Sequence, residues 1–185
     1  KIVSALLLAH YVGKPDSEIA NGRVNSQEKW RAINEIKNEY YRTLFKNNEA
    51  LAQNASYPLL AFIQQQLNSK NKISLLVGHD SNIVALLAAL GVEPYELNDS
   101  LENIPIGGKL LFEVWKHKPS GKLKFKLDYV YQSTEQLINI TPLSLATPPN
   151  QTALTLKGCK KDENGFCDYE RFQQVLSESI KNGKK

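Results

Sequence analysis

A short apolar run, a polar tetrapeptide and a second apolar run follow one another directly, and this succession limits the fold more than any other feature of the chain. Ile73-Ser-Leu-Leu-Val77 ends at Gly78 and is typical of a buried strand. The polar tetrapeptide His79–Asn82 comes next. The apolar residues 83–90, closed by Gly91, predict a largely buried helix. Strand, polar turn and helix in this order indicate an α/β protein.

The residues before this junction have helical patterns and no strand pattern. Apolar residues recur at helical spacing in three segments, Ile2–Val12, Asn25–Phe45 and Glu49–Leu67. Asn25 with Glu28 makes a capping box at the start of the second segment. Pro58 in the third segment either opens a second helix or kinks one. The pattern changes near residue 70, which separates a helical region from the rest.

A β-hairpin and a final helix are predicted after the junction. In chain order, the predicted elements are a turn at Pro105–Gly108, strands at Leu110–Trp115 and Leu123–Tyr131, an irregular connection over residues 141–152, a strand at Ala153–Leu156 and a helix at Tyr169–Ile180.

Composition argues against several classes of function. The chain has 185 residues, of which 42% are apolar and 23% charged, so it is long enough for one globular domain with a core. Its longest apolar runs are far shorter than the roughly 20 residues that span a bilayer, so no membrane partner is expected. The net charge of +4 arises from 19 Lys and only four Arg against 19 acidic residues, which is unlike a base-reading surface. No nucleic-acid partner is expected.

The densest cluster of lysines lies in the predicted hairpin. Within residues 122–127 the lysines alternate with Leu123, Phe125 and Leu127, the pattern of a strand that buries one face and solvates the other. A patch that binds a polyanion is the less favoured interpretation.

The two cysteines, Cys159 and Cys167, can close a small loop. The seven residues between them include Asp162–Gly165, which has high turn potential. Two cysteines without a nearby histidine make a poor zinc site. The alternatives are a disulfide formed in an oxidising compartment and two unrelated thiols, and the turn-rich spacing favours the disulfide.

Of the three histidines, His79 has the position most typical of a functional site. It lies between the end of the predicted strand and a helix N-terminus, where α/β sheets place ligands and free backbone N–H groups attract anions. His79 beside Asp80 suits a site that holds a phosphate and protonates a leaving oxygen. The alternative is a helix-capping residue beside a structural histidine. His10 and His117 are expected to be structural or solvated.

Other catalytic motifs are absent from the sequence. It contains no G-x-S-x-G nucleophile elbow, no G-x-x-x-x-G-K-[ST] loop, no G-x-G-x-x-G and no H-E-x-x-H. Three scattered histidines cannot build a dinuclear metal site, so neither a metal nor another cofactor is expected.

Several segments together resemble one enzyme family. Val77–Ile83 is similar to the second signature of the histidine acid phosphatases. The segments that resemble the branch of bacterial glucose-1-phosphatases and phytases are Asn25–Ala55, Pro105–Phe112, Tyr129–Leu137, Leu156–Cys159 and Gly165–Cys167. Ser81 makes the motif more similar to the glucose-1-phosphatases, because the phytases usually have Thr after the Asp.

The resemblance implies the phosphoglycerate-mutase-like α/β fold of these phosphatases. Residues 1–70 would then belong to the α-domain, and residues 71–185 to the C-terminal part of the α/β domain. Cys159 and Cys167 match the late disulfide of the family, which implies a periplasmic protein.

The resemblance also implies a two-step hydrolysis of phosphomonoesters without a metal. In the family, a histidine of an Arg-His-Gly-x-Arg-x-Pro motif attacks phosphorus. Carried over to this chain, His79 contacts the phosphoryl group, Asp80 protonates the leaving alcohol, and Ser81 joins His79 in binding the substrate. The expected substrate is a sugar phosphate such as glucose 1-phosphate, and inositol hexakisphosphate, the substrate of phytases, is the alternative.

The Arg-His-Gly motif does not occur in this sequence. We therefore expect the chain to be the C-terminal portion of a longer phosphatase, inactive alone, with the N-terminal half as its necessary partner. Asn21 also stands where the family usually has Trp, so the resemblance does not extend to substrate contact by Glu18–Gly22. A non-catalytic phosphate-binding module of the same fold is a further alternative. The sequence predicts no oligomeric state.

Overall fold

The structure is a computed structural model that describes residues 2–185. Its α-helices are α1 (Ile2–Tyr11), α2 (Gln27–Tyr41), α3 (Glu49–Leu67), α4 (Asp80–Ala89), α5 (Thr134–Ile138) and α6 (Tyr169–Gly183). Its strands are β1 (Lys109–Lys116), β2 (Leu123–Tyr131), β3 (Asn150–Ala153) and β4 (Cys167–Asp168). The short helical turns are 3₁₀ at Asp16–Glu18 and Ala20–Gly22 and a π-helical turn at Arg42–Lys46. The predicted helices and the hairpin are confirmed.

The chain forms two compact units, each built from three stretches of sequence. Unit 1 comprises residues 2–40, 96–109 and 130–152, and unit 2 comprises residues 41–95, 110–129 and 153–185. The division of the chain near residue 70 concerns the domains of the complete phosphatase fold and stays a prediction.

Unit 1 has a core formed by α1, α2 and the turns that follow α1. The buried residues of this core are Leu7, Tyr11, Ile19, Val24, Trp30 and Leu101. The buried carboxylate of Glu102 accepts the Tyr11 hydroxyl at 2.9 Å and the Lys37 ammonium at 3.0 Å. Burial, with the neighbouring Glu102 carboxylate, raises the pKa of Tyr11 far above its ordinary value. The tyrosine therefore stays protonated and serves as a hydrogen-bond donor.

The start of α2 differs by one residue from the prediction. The helix begins at Gln27, and Ser26 Oγ accepts the Lys29 backbone N–H at 3.3 Å. Asn25, predicted as the cap, accepts the Lys29 ammonium instead. Ser26 is the residue whose side-chain oxygen lies three positions before a helical N–H, and it therefore caps the helix in place of Asn25.

The part of the sheet that belongs to unit 2 packs against α6 through aromatic side chains. The strand order is β1-β2-β3, and β4 also pairs with β2, antiparallel, with Phe125 opposite Cys167. Phe125 stacks on Phe172 of α6 with ring centroids 3.5 Å apart. Both rings are fully buried, so this pair is the centre of the unit 2 core.

Three helices complete unit 2. Pro58 lies inside α3, which is one continuous helix. The C-terminus of α6 approaches α3 closely, because a Cβ added at Gly183 would overlap the Gln53 carbonyl group. Ser179 Oγ of α6 donates to the Ala89 carbonyl oxygen at the end of α4, at 2.7 Å. The Ser179 hydrogen bond holds the C-terminal end of α4 against α6.

The lysine face of β2 is less exposed to solvent than predicted. Lys124 pairs with Asp162 at 3.3 Å, and Lys126 pairs with the fully buried Asp128 at 2.8 Å. Asp162 belongs to residues 159–167, here named the disulfide loop. The expectation of a solvated face is wrong for these two lysines, because this loop supplies a carboxylate partner and Asp128 is internal to the strand itself.

A second correction concerns the strand predicted at Ala153–Leu156. The strand β3 is Asn150–Ala153, so it takes its first residues from the stretch expected to be irregular. Leu156 forms only isolated bridges, with Val92 and Cys159. The pattern predicted a strand in the right region but placed it three residues too far along the chain, because a strand of four residues gives little periodic signal.

The prediction of a buried strand over Ile73–Val77, here named the apolar segment, is wrong. Its residues belong to no strand, and Leu75 and Val77 are 85% and 93% exposed. A strand needs neighbours that supply hydrogen bonds and cover its faces. Within residues 2–185 no stretch pairs with this segment.

Candidate functional site

The predicted site lies where the apolar segment meets α4. His79 has extended backbone torsions, φ −102° and ψ 165°, and α4 begins at the next residue, Asp80. Asn82 Oδ1 accepts the His79 backbone N–H at 2.9 Å, and Asp80 Oδ1 accepts the Ser81 N–H at 2.8 Å. The predicted helix is confirmed, but it begins at Asp80, three residues before the predicted start at Ile83. The hydrogen bonds named above hold the junction together.

Helix α4 is anchored at its far end and presents its first turn to solvent. The buried residues of α4 are Ala85, Leu86, Leu87 and Ala89. His79, Ser81 and Asn82 are exposed, and Asp80 is half-buried. The fold thus brings an imidazole, a carboxyl group and a hydroxyl together at the N-terminus of a helix with a buried body. Helix N-termini commonly bind anions, and at this one the Ser81 N–H already donates to Asp80 Oδ1 and the Asn82 N–H to the His79 carbonyl oxygen.

The other two histidines have structural surroundings. His10 Nδ1 lies 3.1 Å from Asp16 Oδ1, and its ring centroid lies 4.5 Å from that of Trp30. His117 Nδ1 lies 2.7 Å from Ser120 Oγ in the β1–β2 turn. Over residues 2–185, no three His, Cys, Asp or Glu side chains are arranged to hold a metal ion. The same residues include no helix long and apolar enough to cross a membrane.

The two cysteines are joined, as predicted. Cys159 and Cys167 form a disulfide with a Cα–Cα distance of 5.6 Å. Inside the loop, Asp162 Oδ1 accepts the backbone N–H groups of Asn164 and Phe166, both at 3.0 Å. The hydrogen bond from Phe166 is the largest cause that lowers the pKa of Asp162, and Lys124 lowers it further.

Two features of the chain, one at the site and one in β2, were missed by the sequence analysis. The contact of Asn82 with the His79 N–H could have been found, because a side-chain acceptor at the third helical position is the second half of a capping box. The burial of Asp128 could not, since Asp128 continues an alternation of polar residues that is equally typical of an exposed face.

Comparison with protein families assigns the class of this fold. Residues 21–138 match the model of the histidine phosphatase superfamily (branch 2), which is more than half of the chain. The chain therefore belongs to the histidine phosphatase superfamily, branch 2, and it has the histidine phosphatase fold.

Curated relatives include glucose-1-phosphatases. The chain is 41% identical to a glucose-1-phosphatase of Providencia rettgeri, a match that covers 96% of this chain and 44% of the relative. It is 39% identical to a glucose-1-phosphatase of Salmonella typhimurium, with 97% and 44% covered. The chain thus spans less than half the length of these relatives.

Solved structures of phytases have the same fold. The phytase of Citrobacter braakii superposes with a TM-score of 0.85 at 29% sequence identity, covering 96% of this chain and 47% of the phytase. This similarity confirms the fold expected from the sequence resemblance.

Proposed function

We propose that this chain supplies the His-Asp part of a phosphomonoesterase site. The observation that carries the proposal is the placement of His79 and Asp80 at the exposed N-terminus of α4, in a chain of the histidine phosphatase superfamily. The His79 imidazole would contact oxygens of a phosphoryl group, and Ser81 would add a hydroxyl contact.

The first chemical step requires a nucleophile from outside this chain. In the mechanism that the family resemblance implies, a histidine of an Arg-His-Gly motif attacks phosphorus, and the proposal assigns this histidine to a complementary portion of the protein. The bond between phosphorus and the ester oxygen breaks, and that oxygen takes the proton of the Asp80 carboxyl group. An alkoxide is a poor leaving group, so this proton is needed as charge develops on the oxygen. The products are an alcohol and a phosphohistidine.

The second step regenerates both residues. Water attacks the phosphohistidine, the bond between phosphorus and nitrogen breaks, and the Asp80 carboxylate takes the proton of the attacking water. Inorganic phosphate leaves. Asp80 acts as an acid in the first step and as a base in the second, and the first step needs it protonated, which favours acidic pH.

The substrate is a small sugar phosphate such as glucose 1-phosphate. The identities of 41% and 39% to glucose-1-phosphatases support this choice. Inositol hexakisphosphate is the second candidate, favoured by the structural similarity to a phytase at 29% identity. The Cys159–Cys167 disulfide supports a periplasmic location, because such bonds persist in oxidising compartments.

The 185-residue chain alone is inactive in this proposal. It contains no Arg-His-Gly motif, so it lacks the nucleophile and the arginines that hold the phosphate oxygens. The test is turnover of glucose 1-phosphate by the chain alone and by the chain mixed with the complementary portion of the Providencia rettgeri relative. Turnover by the isolated chain that His79→Ala abolishes would contradict the proposal.

Replacing the proton donor tests its role in the complemented enzyme. Asp80→Asn lowers kcat for glucose 1-phosphate by roughly 10² to 10⁴, the range for loss of a general acid. The same substitution lowers kcat for an aryl phosphate by a smaller factor, because an aryl oxide leaves with less need of a proton. Equal losses for both substrates would show that Asp80 is not the proton donor.

A non-catalytic phosphate-binding module is the alternative favoured by the absent Arg-His-Gly motif. Titration of the chain with inorganic phosphate, followed by NMR of the His79 imidazole, measures binding without catalysis. A shift of this imidazole without turnover in any complemented form identifies the module.

A further inference from the structure

We propose that Asn82 is a positioning residue for the His79–Asp80 pair, an inference that rests on the function proposed above. Asn82 Oδ1 accepts the His79 backbone N–H at 2.9 Å. In the opposite direction, the Asn82 backbone N–H donates to the His79 carbonyl oxygen at 3.1 Å. Two hydrogen bonds therefore join the residue that ends the extended segment to the third residue of α4.

The residue before His79 leaves room for this arrangement. A Cβ added at Gly78 would lie 3.2 Å from Asn82 Oδ1 and 3.6 Å from Asn82 Cβ. The amide of Asn82 therefore packs directly against the Gly78 backbone, and a side chain at Gly78 would press on the oxygen that accepts the His79 N–H. Gly78 and Asn82 form one interlocked contact.

This contact controls where the proposed acid points. Asp80 is the first residue of α4, so the direction of its side chain depends on the backbone of His79, which is extended at φ −102° and ψ 165°. Asn82 bonds both polar groups of that backbone. Without its side-chain oxygen, His79 and Asp80 sample more orientations, and a displaced acid transfers its proton less well although its chemistry is intact.

A positioning role can be distinguished from ordinary helix capping. A capping contact stabilises α4 and affects the turnover of all substrates alike. A contact that orients Asp80 affects substrates in proportion to their need for a proton. The leaving group of the substrate therefore reports which role Asn82 has.

The first experiment measures the contact itself in the 185-residue chain. Amide hydrogen exchange of the His79 N–H, followed by NMR, is about fivefold faster in Asn82→Ala than in the wild type, as expected for loss of one neutral hydrogen bond. Asn82→Gln keeps an acceptor amide, the usual partner in a capping box, and retains most of the protection. Unchanged exchange in Asn82→Ala would overturn the proposal.

The second experiment measures turnover in the complemented phosphatase. Asn82→Ala lowers kcat for glucose 1-phosphate about tenfold, changes kcat for an aryl phosphate by less than about twofold, and leaves both KM values nearly unchanged. Asn82→Gln restores turnover of glucose 1-phosphate. Equal losses for both substrates would reduce Asn82 to a helix cap and overturn the proposal.

A second variant covers the case in which Asn82→Ala fails to fold. Gly78→Ala keeps the amide and displaces it, and it produces the same selective loss to a smaller degree. Gly78→Ala without a selective loss would count against the proposal. Failure of the proposed function gives a different result. The loss of kcat in Asp80→Asn would then be the same for glucose 1-phosphate and for an aryl phosphate, whatever the exchange rate of the His79 backbone N–H.

Discussion

Strand β2 and the apolar segment Ile73–Val77 were given the same prediction and have opposite surroundings. Both are rich in residues that favour strands, and both were predicted as strands from pattern alone. β2 pairs with β1, β3 and β4, and Phe125, Leu127 and Tyr129 are buried. The apolar segment forms no strand pairing within residues 2–185, and Val77 is 93% exposed.

The difference teaches that strand propensity and strand burial have separate causes. The alternation in β2 is enough to identify a strand, but the burial of that strand comes from α6 and the disulfide loop. The apolar segment has the composition of a strand buried on both faces without partners for either. We therefore expect the apolar segment to be the part of the chain that a complementary portion of the fold would stabilise most.

Removing a ring from the β2 core has the largest expected effect. Phe172→Ala deletes a fully buried ring that stacks on Phe125, and it costs about 3 to 5 kcal/mol of the free energy of unfolding. Phe62→Ala is the matched control, because Phe62 lies in α3 of the same unit and is 46% exposed. Urea denaturation followed by circular dichroism measures both. Similar costs for the two variants would mean that the Phe125–Phe172 stack is not the centre of the core.

Opening the disulfide loop has the next largest effect. The double variant Cys159→Ser/Cys167→Ser loses about 2 to 3 kcal/mol, the chain-entropy value for a loop of this length. The loss appears as a lower urea midpoint of the wild type in the presence of a reductant, whereas reductant leaves the double variant unchanged. A wild-type midpoint insensitive to reductant, or two free thiols by alkylation and mass spectrometry, would contradict the prediction.

The sequence predicts those parts of the fold whose signals are local. Helix α6 and strand β2 follow from periodicity, and the body of α4 follows from the apolar run that ends at Gly91. The burial of Asp128 and the exposure of the apolar segment depend on which distant residues are present, and no local pattern reports that. At the candidate site, His79 and Asp80 were found from their position before the apolar run. The Asn82 contact was missed although its signal is local, an acceptor side chain three residues after the residue that precedes the helix.

Acid weakens the covered side of β2 through Asp162. The pKa of this carboxyl group in the folded chain is lower than its ordinary value of 3.8, so the folded state favours the charged form. Its stabilising contribution is complete above the ordinary value and is lost as the pH falls through the lower folded value. Asp162→Asn removes this part of the pH dependence of Tm, measured as the pH falls below the ordinary value. Glu163→Gln, at the exposed neighbouring position, is the control, and an equal change in both variants would contradict the assignment to Asp162.

Substitutions in the apolar segment have the smallest expected effect on stability, and this effect differs most from that of substitutions in the β2 core. Leu75→Ser/Val77→Ser changes the free energy of unfolding of the chain alone by less than about 0.5 kcal/mol, because both side chains are already exposed. Leu75 and Val77 lie two residues apart and would share one face of a strand.

If that face becomes buried against the complementary portion of the Providencia rettgeri relative, the double variant binds this portion about 30-fold more weakly in a titration followed by calorimetry. Lys72→Ser, just before the segment, is the control and leaves the affinity unchanged. A stability loss above about 1 kcal/mol in the chain alone would mean that the segment is already packed. Unchanged affinity would mean that the apolar segment stays unpaired in the assembled protein. The presence of neighbouring strands would then not explain the contrast with β2, and the cause would have to lie in the two sequences themselves.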